Sequence, residues 1–449
     1  MLNSGKSNTK KLVIIGIVIA TIIIGISAYL VTSEPIQPKV MITPITAGPY
    51  YVDIPIIFTS SFNNTNGYNF DKYEYQWDFG DGNKQNIVGN QEIYHTYTNG
   101  VHKQVQLVVK ENDKVIDIDK IDLEINPIHY ISQFGHYGSG DKEFHISNGI
   151  AINSKGNLYV VDQVNNRVQI FDSDGNFLDQ IGGQKNPQIK FESPHGIAID
   201  DNDNIYIADL GHQKIIVLDY NGNLKFEFGS LCNALSGEYC YDPDEEGPLE
   251  KGDGQFHAPY DIALDSQNNI YVTDVTSSFV QKFDSNGTFL KKWGGLGISN
   301  DQFISSHGIA IDDNDIVYVS DHGNNRIQVF DSDGNWLNSF INNDLEGKII
   351  FDEPRGLNIH ENIMYVTNGG THDNIIAFDI KNGVRLFEFG SFCKMDENSE
   401  CRDLDGENGG LRIGDMQFNE PHDMAINKDG KIFVTDGFNH RVQVFSIKQ

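Results

Sequence analysis

Residues 144–183 read FHISNGIAINSKGNLYVVDQVNNRVQIFDSDGNFLDQIGG and residues 303–340 read FISSHGIAIDDNDIVYVSDHGNNRIQVFDSDGNWLNSF. Aligned on their first phenylalanine, both show a G-I-A-I run, a Y-V run ending at Asp, an R-V/I-Q run ending at Phe, and an S-D-G-N turn. Short apolar runs separated by Gly, Asn, Asp and Ser read as four antiparallel strands, because no 3.6-residue period links them. The unit recurs six times, starting at Phe144, Phe191, Phe256, Phe303, Phe351 and Phe418. A four-stranded unit repeating at about 40 to 50 residues is a propeller blade.

The chain ends fit a closed ring. The last unit stops at RVQVFSIKQ without a fourth strand, while HYISQFGHYGSG before the first unit looks like the fourth strands FEFGS and FLKKWGG. Tyr130 to Gly135 is therefore expected to complete the sixth blade and remove the open sheet edges.

Working outward, 449 residues with 39% hydrophobic and 11% aromatic content exceed one ordinary domain and suffice for packed cores. The formal charge of -30 repels a phosphate backbone, so no nucleic-acid partner is expected, while cations and basic ligands are attracted. Leu12 to Val31 is a 20-residue run without a charge, preceded by Lys6, Lys10 and Lys11. That predicts residues 1–11 inside the cell, a transmembrane anchor over 12–31, a linker over 32–39 and everything beyond on the outer side. A cleaved signal peptide is the other reading and leaves the compartment unchanged.

Residues 40–127 alternate in the manner of strands, as in VDIPIIF and KQVQLVV, around the string WDFGDGN. With Trp77, Asp78, Gly80 and Asp81 in that string and His95 and Tyr97 in the later H-T-Y, the segment resembles a PKD domain. The resemblance implies an extracellular immunoglobulin-like sandwich without catalysis. Asp78 and Asp81 are expected to hold the turn by hydrogen bonds, with a cation site as the alternative. The six units over 128–449, with their G-I-A-x-D, Y-V-x-D and N-R-V/I-Q-V-F motifs, resemble NHL repeats. The fold expected is therefore all-β: one transmembrane helix, a PKD-type sandwich and a six-bladed NHL-type propeller. Asp162, Asp209, Asp274, Asp321 and Asp436, repeating at blade period with Arg167, Arg326 and Arg441 nearby, are expected to bond within each blade.

In a propeller the first strand of each blade lines the channel. Four residues after each repeat phenylalanine stand Asn148, His195, Tyr260, His307, Arg355 and His422, with Asp423 beside the last. Histidines on alternate blades are related by a pseudo-threefold axis, and three neutral imidazoles plus water make an open zinc-type site. The alternative is that each histidine caps the turn into its strand. The set resembles that of the peptidyl-hydroxyglycine amidating lyases. That resemblance implies zinc on His195, His307 and His422, with copper or calcium less expected, and catalytic roles for Tyr260 as base, Arg355 as carboxylate clamp and Asp423.

Two insertions, Leu231 to Gln255 and Phe392 to Gln417, both begin GS-L/F-C-x7-C and end G-D-x-Q-F. They enter blades on opposite sides of the ring, which favours the local pairings Cys232 with Cys240 and Cys393 with Cys401, suited to an oxidising compartment. Asp242, Asp244, Glu245 and Glu246, with Asp403, Asp405 and Glu407, make the loop tips acidic, and no full calcium loop is present. Asn63 and Asn286 lie in N-glycosylation sequons. The function expected is a monomeric, membrane-anchored extracellular platform binding a protein, peptide or small ligand at its channel mouth. A zinc-dependent lyase is the alternative.

Overall fold

The computed structural model describes residues 39–44, 50–53, 55–62, 72–89, 92–183, 188–245, 247–341, 350–394, 401 and 414–448. The expected anchor over 12–31 lies outside them, as do Asn63, Glu246, Asp403, Asp405 and Glu407. Among the described residues no helix is long and apolar enough to cross a membrane. They form two compact units, one drawn mainly from residues up to Glu124, the other mainly from Ile125 onward.

The first unit is a β-sandwich. One sheet orders Val40–Pro44, Pro55–Phe62 and Ile93–Thr96, and the other includes Glu74–Asp78 paired with Lys84–Val88 and Val101–Glu111. Alternation along Glu74–Asp78 buries Tyr75 and Trp77. The tight turn that follows is held as its residues predict: Asp78 Oδ1 accepts the Gly80 N–H and Asp81 Oδ1 the Asn83 N–H. Asp81 Oδ2 lies 2.8 Å from His95 Nε2, and the His95 ring stacks on Phe79 at 4.0 Å. The acids of this signature are thus occupied by turn bonds, an ion pair with Lys84 and the imidazole.

The second unit is a six-bladed propeller in which every blade is a four-stranded antiparallel sheet, with blades 1 to 5 in chain order. The inner strands are Ser147–Ile152, Pro194–Ile199, Pro259–Leu264, Ser306–Ile311, Pro354–His360 and Pro421–Ile426, defining blades 1 to 6. Blade 6 takes its outer strand from Ile128–Phe134, which pairs with Arg441–Ile447 from Ile447↔Ile128 to Val442↔Phe134. This is the expected closure, begun two residues earlier than Tyr130. The six repeat phenylalanines are buried between blades, where second-strand aliphatics of one blade pack on those of the next.

In every blade but the fifth the second strand ends in a buried Asp that must be satisfied locally, since an unpaired buried charge is costly. In blades 1, 4 and 6 an arginine does this: Nε of Arg167, Arg326 and Arg441 lies 2.7 Å from Asp162, Asp321 and Asp436. Its Nη2 then donates to two carbonyls of the loop entering that blade, such as Gly414 and Gln417 for Arg441. Blade 5 substitutes an amide pair, Asn368 Nδ2 donating to Asn374 Oδ1 at 2.8 Å.

Candidate functional site

Each inner strand opens with a bulge, its register slipping between the first and fourth residues, as at Pro194/Ile197 and Pro421/Met424. The two residues in the bulge leave the ladder, and the first of them is the ring position. Asn148, His195, Tyr260, His307, Arg355 and His422 all stand there. The rings of His195 and Tyr260 are 3.6 Å apart, Tyr260 and His307 4.4 Å, and His195 and His422 5.8 Å. The rings of His195, Tyr260, His307 and His422 thus stand together. The second bulge residue is Gly in four blades for a steric reason. At Gly356, for instance, a Cβ would come 2.5 Å from the His422 carbonyl of the next blade.

Buried hydroxyls hold the bulges in blades 3 to 6. Thr273, Ser320, Thr367 and Thr435, each one residue before the end-of-strand Asp or Asn, accept the N–H of Asp261, Gly308, Gly356 and Asp423. Three of them also donate across the seam to the next blade: Thr273 to the His307 carbonyl, Ser320 to that of Arg355 and Thr367 to that of His422. Blades 1 and 2 carry Val161 and Ala208 at this place. The backbone of His307, Arg355 and His422 is thus fixed by neighbours, while that of His195 lacks this tie.

Arg355 crosses Gly369, where a Cβ would lie 2.2 Å from Nε, and its Nη2 contacts Glu420 Oε2 at 2.8 Å. The Glu420 N–H in turn donates to Asp373, whose carboxyl is pushed up to about 7, first by burial. Burial, then the Arg355 charge, lowers His195 to about 3, and burial sets His307 and His422 well below the ordinary imidazole value. The three imidazoles are therefore neutral. Burial pushes Tyr260 up to about 12, so its phenol stays protonated and acts as a donor rather than a base until something else lowers it.

A fourth imidazole, His322 on the 3-10 turn after Asp321, stacks on His307 at 4.0 Å and was not singled out in the sequence. The mouth also concentrates buried polar atoms without a hydrogen-bond partner: both amide atoms of Asn148, Nδ1 of His307, both ring nitrogens of His422, Nε2 of His322 and Nε of Arg355.

Below this ring the channel is a cavity of about 290 Å³ lined by inner-strand aliphatics and two carboxylates, Asp261 and Asp423. Asp423 Oδ1 and Oδ2 accept the N–H groups of Met424 and Ile150, and Asp261 those of Ile262 and Ile309, so each acid ties its blade to the next. Burial raises Asp261 to about 6, and burial with the Asp261 charge raises Asp423 well above the usual carboxylate range. Asp261 was missed although P-Y-D-I-A and P-H-D-M-A repeat one pattern three blades apart.

The donor set suits zinc in kind, since neutral imidazoles with open nitrogens are what the ion takes. In position the fit is incomplete: the Tyr260 ring stands between those of His195 and His307. Among the described residues no group of three His, Cys, Asp or Glu side chains is gathered to hold a metal ion. Both disulfides are formed as expected, Cys232 with Cys240 and Cys393 with Cys401. Their loops enter blades 3 and 6 by matching backbone bonds, Cys232 N–H to the Phe256 carbonyl and Cys393 N–H to that of Phe418.

Comparison with known proteins agrees with this architecture. The NHL repeat model matches residues 307–330 and 418–445, a 6-bladed beta-propeller model matches 141–258 and a PKD domain model matches 51–124. Protein lin-41 of Caenorhabditis elegans is 52% identical over 48 residues, which is 11% of this chain and 4% of that protein. Similar solved structures include a structural genomics protein of unknown function from Bacteroides thetaiotaomicron (15% identity, TM-score 0.49, covering 93% of this chain and 99% of that one). A streptogramin B lyase matches at 15% identity and TM-score 0.46, over 72% of this chain and 98% of its own. A gluconolactonase from Xanthomonas campestris matches at 16% and 0.46, over 68% and 88%.

Proposed function

We propose that this chain, which carries NHL repeats in a six-bladed propeller preceded by a PKD domain, is a membrane-anchored extracellular binding platform. Its channel mouth receives the ligand. The observation that carries this reading is the cluster of unpartnered buried polar atoms on Asn148, His307, His322, Arg355 and His422. Each such atom costs roughly 1–3 kcal/mol when left unpaired, and a ligand that supplies partners recovers that free energy on binding. Arg355, with Nε open and Nη2 shared with Glu420, suits a carboxylate or other planar acceptor. Two disulfides, the uncharged run over 12–31 and the lysines before it support the outward, single-pass placement. A thermal-shift series with small carboxylates, amino acids and peptides on the full chain tests the reading. Stabilisation by a ligand, lost on Arg355→Ala and His422→Ala, is expected; no shift with any ligand class counts against it.

A second reading is favoured by one observation. His195, Tyr260, His307, Arg355 and His422, the residues called for by the resemblance to amidating lyases, stand on one ring. Zinc bound there would polarise a substrate oxygen. Arg355 would hold a substrate carboxylate, Tyr260 would donate or relay a proton at its hydroxyl, and Asp423 would tie the inner strand of blade 6 to that of blade 1 through the Met424 and Ile150 N–H groups. Metal content by inductively coupled plasma mass spectrometry decides it. About one zinc per chain, lost in the His195→Ala/His307→Ala/His422→Ala variant, supports the lyase; none after reloading overturns it.

A further inference from the structure

The two ends of the propeller show different surfaces to solvent. The turns remote from the ring are closed by Asp and Asn side chains, as at Asp172, Asp265 and Asp331. Within those described turns only Tyr220 is a large exposed apolar side chain, with Leu224, Trp336 and Val384 exposed where outer strands leave them. At the mouth end such side chains collect, and six of them flank blade 3: Leu235, Tyr239 and Tyr241 on the Leu231–Gln255 insertion, and Leu296, Ile298 and Ile304 on the segment entering blade 4. Tyr239 is 68% and Ile298 75% exposed.

These side chains project from backbone that is tied down. The first loop is closed by its disulfide, by the Asn233 N–H to the Glu238 carbonyl at 2.9 Å and by the Tyr241 N–H to Gln255 Oε1 at 3.0 Å. The second is fixed by the Leu296 bridge to Phe303 and the Gly297 N–H to the Phe303 carbonyl. Exposed apolar side chains on a fixed scaffold mark an interaction surface. Glu238, Asp244, Glu245 and Glu250 are exposed among them, while Lys251 donates to the Gly237 carbonyl and Lys292 is paired with Asp253. The rim is therefore apolar and acidic together. A charge of -30 argues against a second copy of this chain and against anionic lipid.

We propose that the rim over blade 3 docks a basic polypeptide segment that carries lysine or arginine beside aliphatic or aromatic side chains. The apolar side chains supply affinity, and the acids steer approach and set the orientation. This deepens the binding-platform reading and rests on the mouth face being the recognition face.

The test uses the full chain in zwitterionic nanodiscs, with empty discs as reference and a labelled peptide of alternating lysine and valine as probe. Saturable binding above the empty discs is expected. It weakens about tenfold in Leu235→Ser/Tyr239→Ser/Ile298→Ser, and it weakens in Glu238→Gln/Glu245→Gln and with added salt. Thermal midpoints confirm that both variants fold. No binding above empty discs, equal binding by wild type and both variants, or polylysine binding as tightly as the lysine–valine peptide each overturns the proposal. An Arg355→Ala/His422→Ala variant separates the two readings. If the peptide fails while that variant still abolishes a small-ligand thermal shift, the rim proposal falls and the platform stands; if neither responds, both fall.

Discussion

The Thr367 hydroxyl on blade 5 donates to the carbonyl of His422 on blade 6 at 3.1 Å while accepting the Gly356 N–H at 2.8 Å. One buried oxygen thus sets the bulge of its own blade and the placement of a ring histidine on the next. Thr367→Val keeps the shape and removes both bonds, leaving a buried N–H and carbonyl unpaired. We expect a loss of about 1–3 kcal/mol in urea unfolding, together with weaker ligand-induced stabilisation at the mouth. Val161→Thr on blade 1, where no such tie exists, serves as the control.

The two channel acids make stability depend on pH. Asp261 has a folded pKa of about 6, and Asp423 is raised as well, against roughly 3.9 in an unfolded chain. The folded state binds their protons more tightly, so their contribution is most favourable below about pH 4 and falls as pH rises through about 6. Capping acids such as Asp172 and Asp331, whose pKa values are lowered, act in the opposite sense. The difference between wild type and Asp261→Asn isolates the pair. Unfolding free energies measured from pH 4 to 7 should show Asp261→Asn gaining on wild type as pH rises, and a constant difference would contradict the assignment.

Ring closure depends on Arg441. Its guanidinium pairs with Asp436, caps the carbonyls of Gly414 and Gln417 and contacts Gln133 on the strand contributed from before blade 1. Arg441→Leu leaves Asp436 buried and uncompensated, which costs about 3–5 kcal/mol. Arg441→Lys keeps a charge but not the fork, and is expected to fall between. Chemical denaturation orders the three, and an Arg441→Leu protein as stable as wild type would show that the clamp contributes nothing.

The blades, their closure and the ring of six positions were legible because each rests on a local pattern repeated at a fixed period. Thr367 and Asp261 were not, because what each does depends on a partner one blade away, Thr367 on His422 and Asp261 on Ile309. His322 escaped notice because only folding of the turn after Asp321 lays its ring on His307. Alternate histidines suggested a shared point, and the ring order already set Tyr260 between His195 and His307, yet only folding shows its ring lying 3.6 and 4.4 Å from theirs.

Native mass spectrometry of the full chain released from detergent tests the central claim most directly, comparing wild type with His195→Ala/His307→Ala/His422→Ala. If the mouth is a ligand site, wild type carries a co-purifying or titratable small-molecule adduct at one per chain and the variant does not. Identical spectra for the two proteins, before and after incubation with carboxylate-bearing ligands, would contradict it.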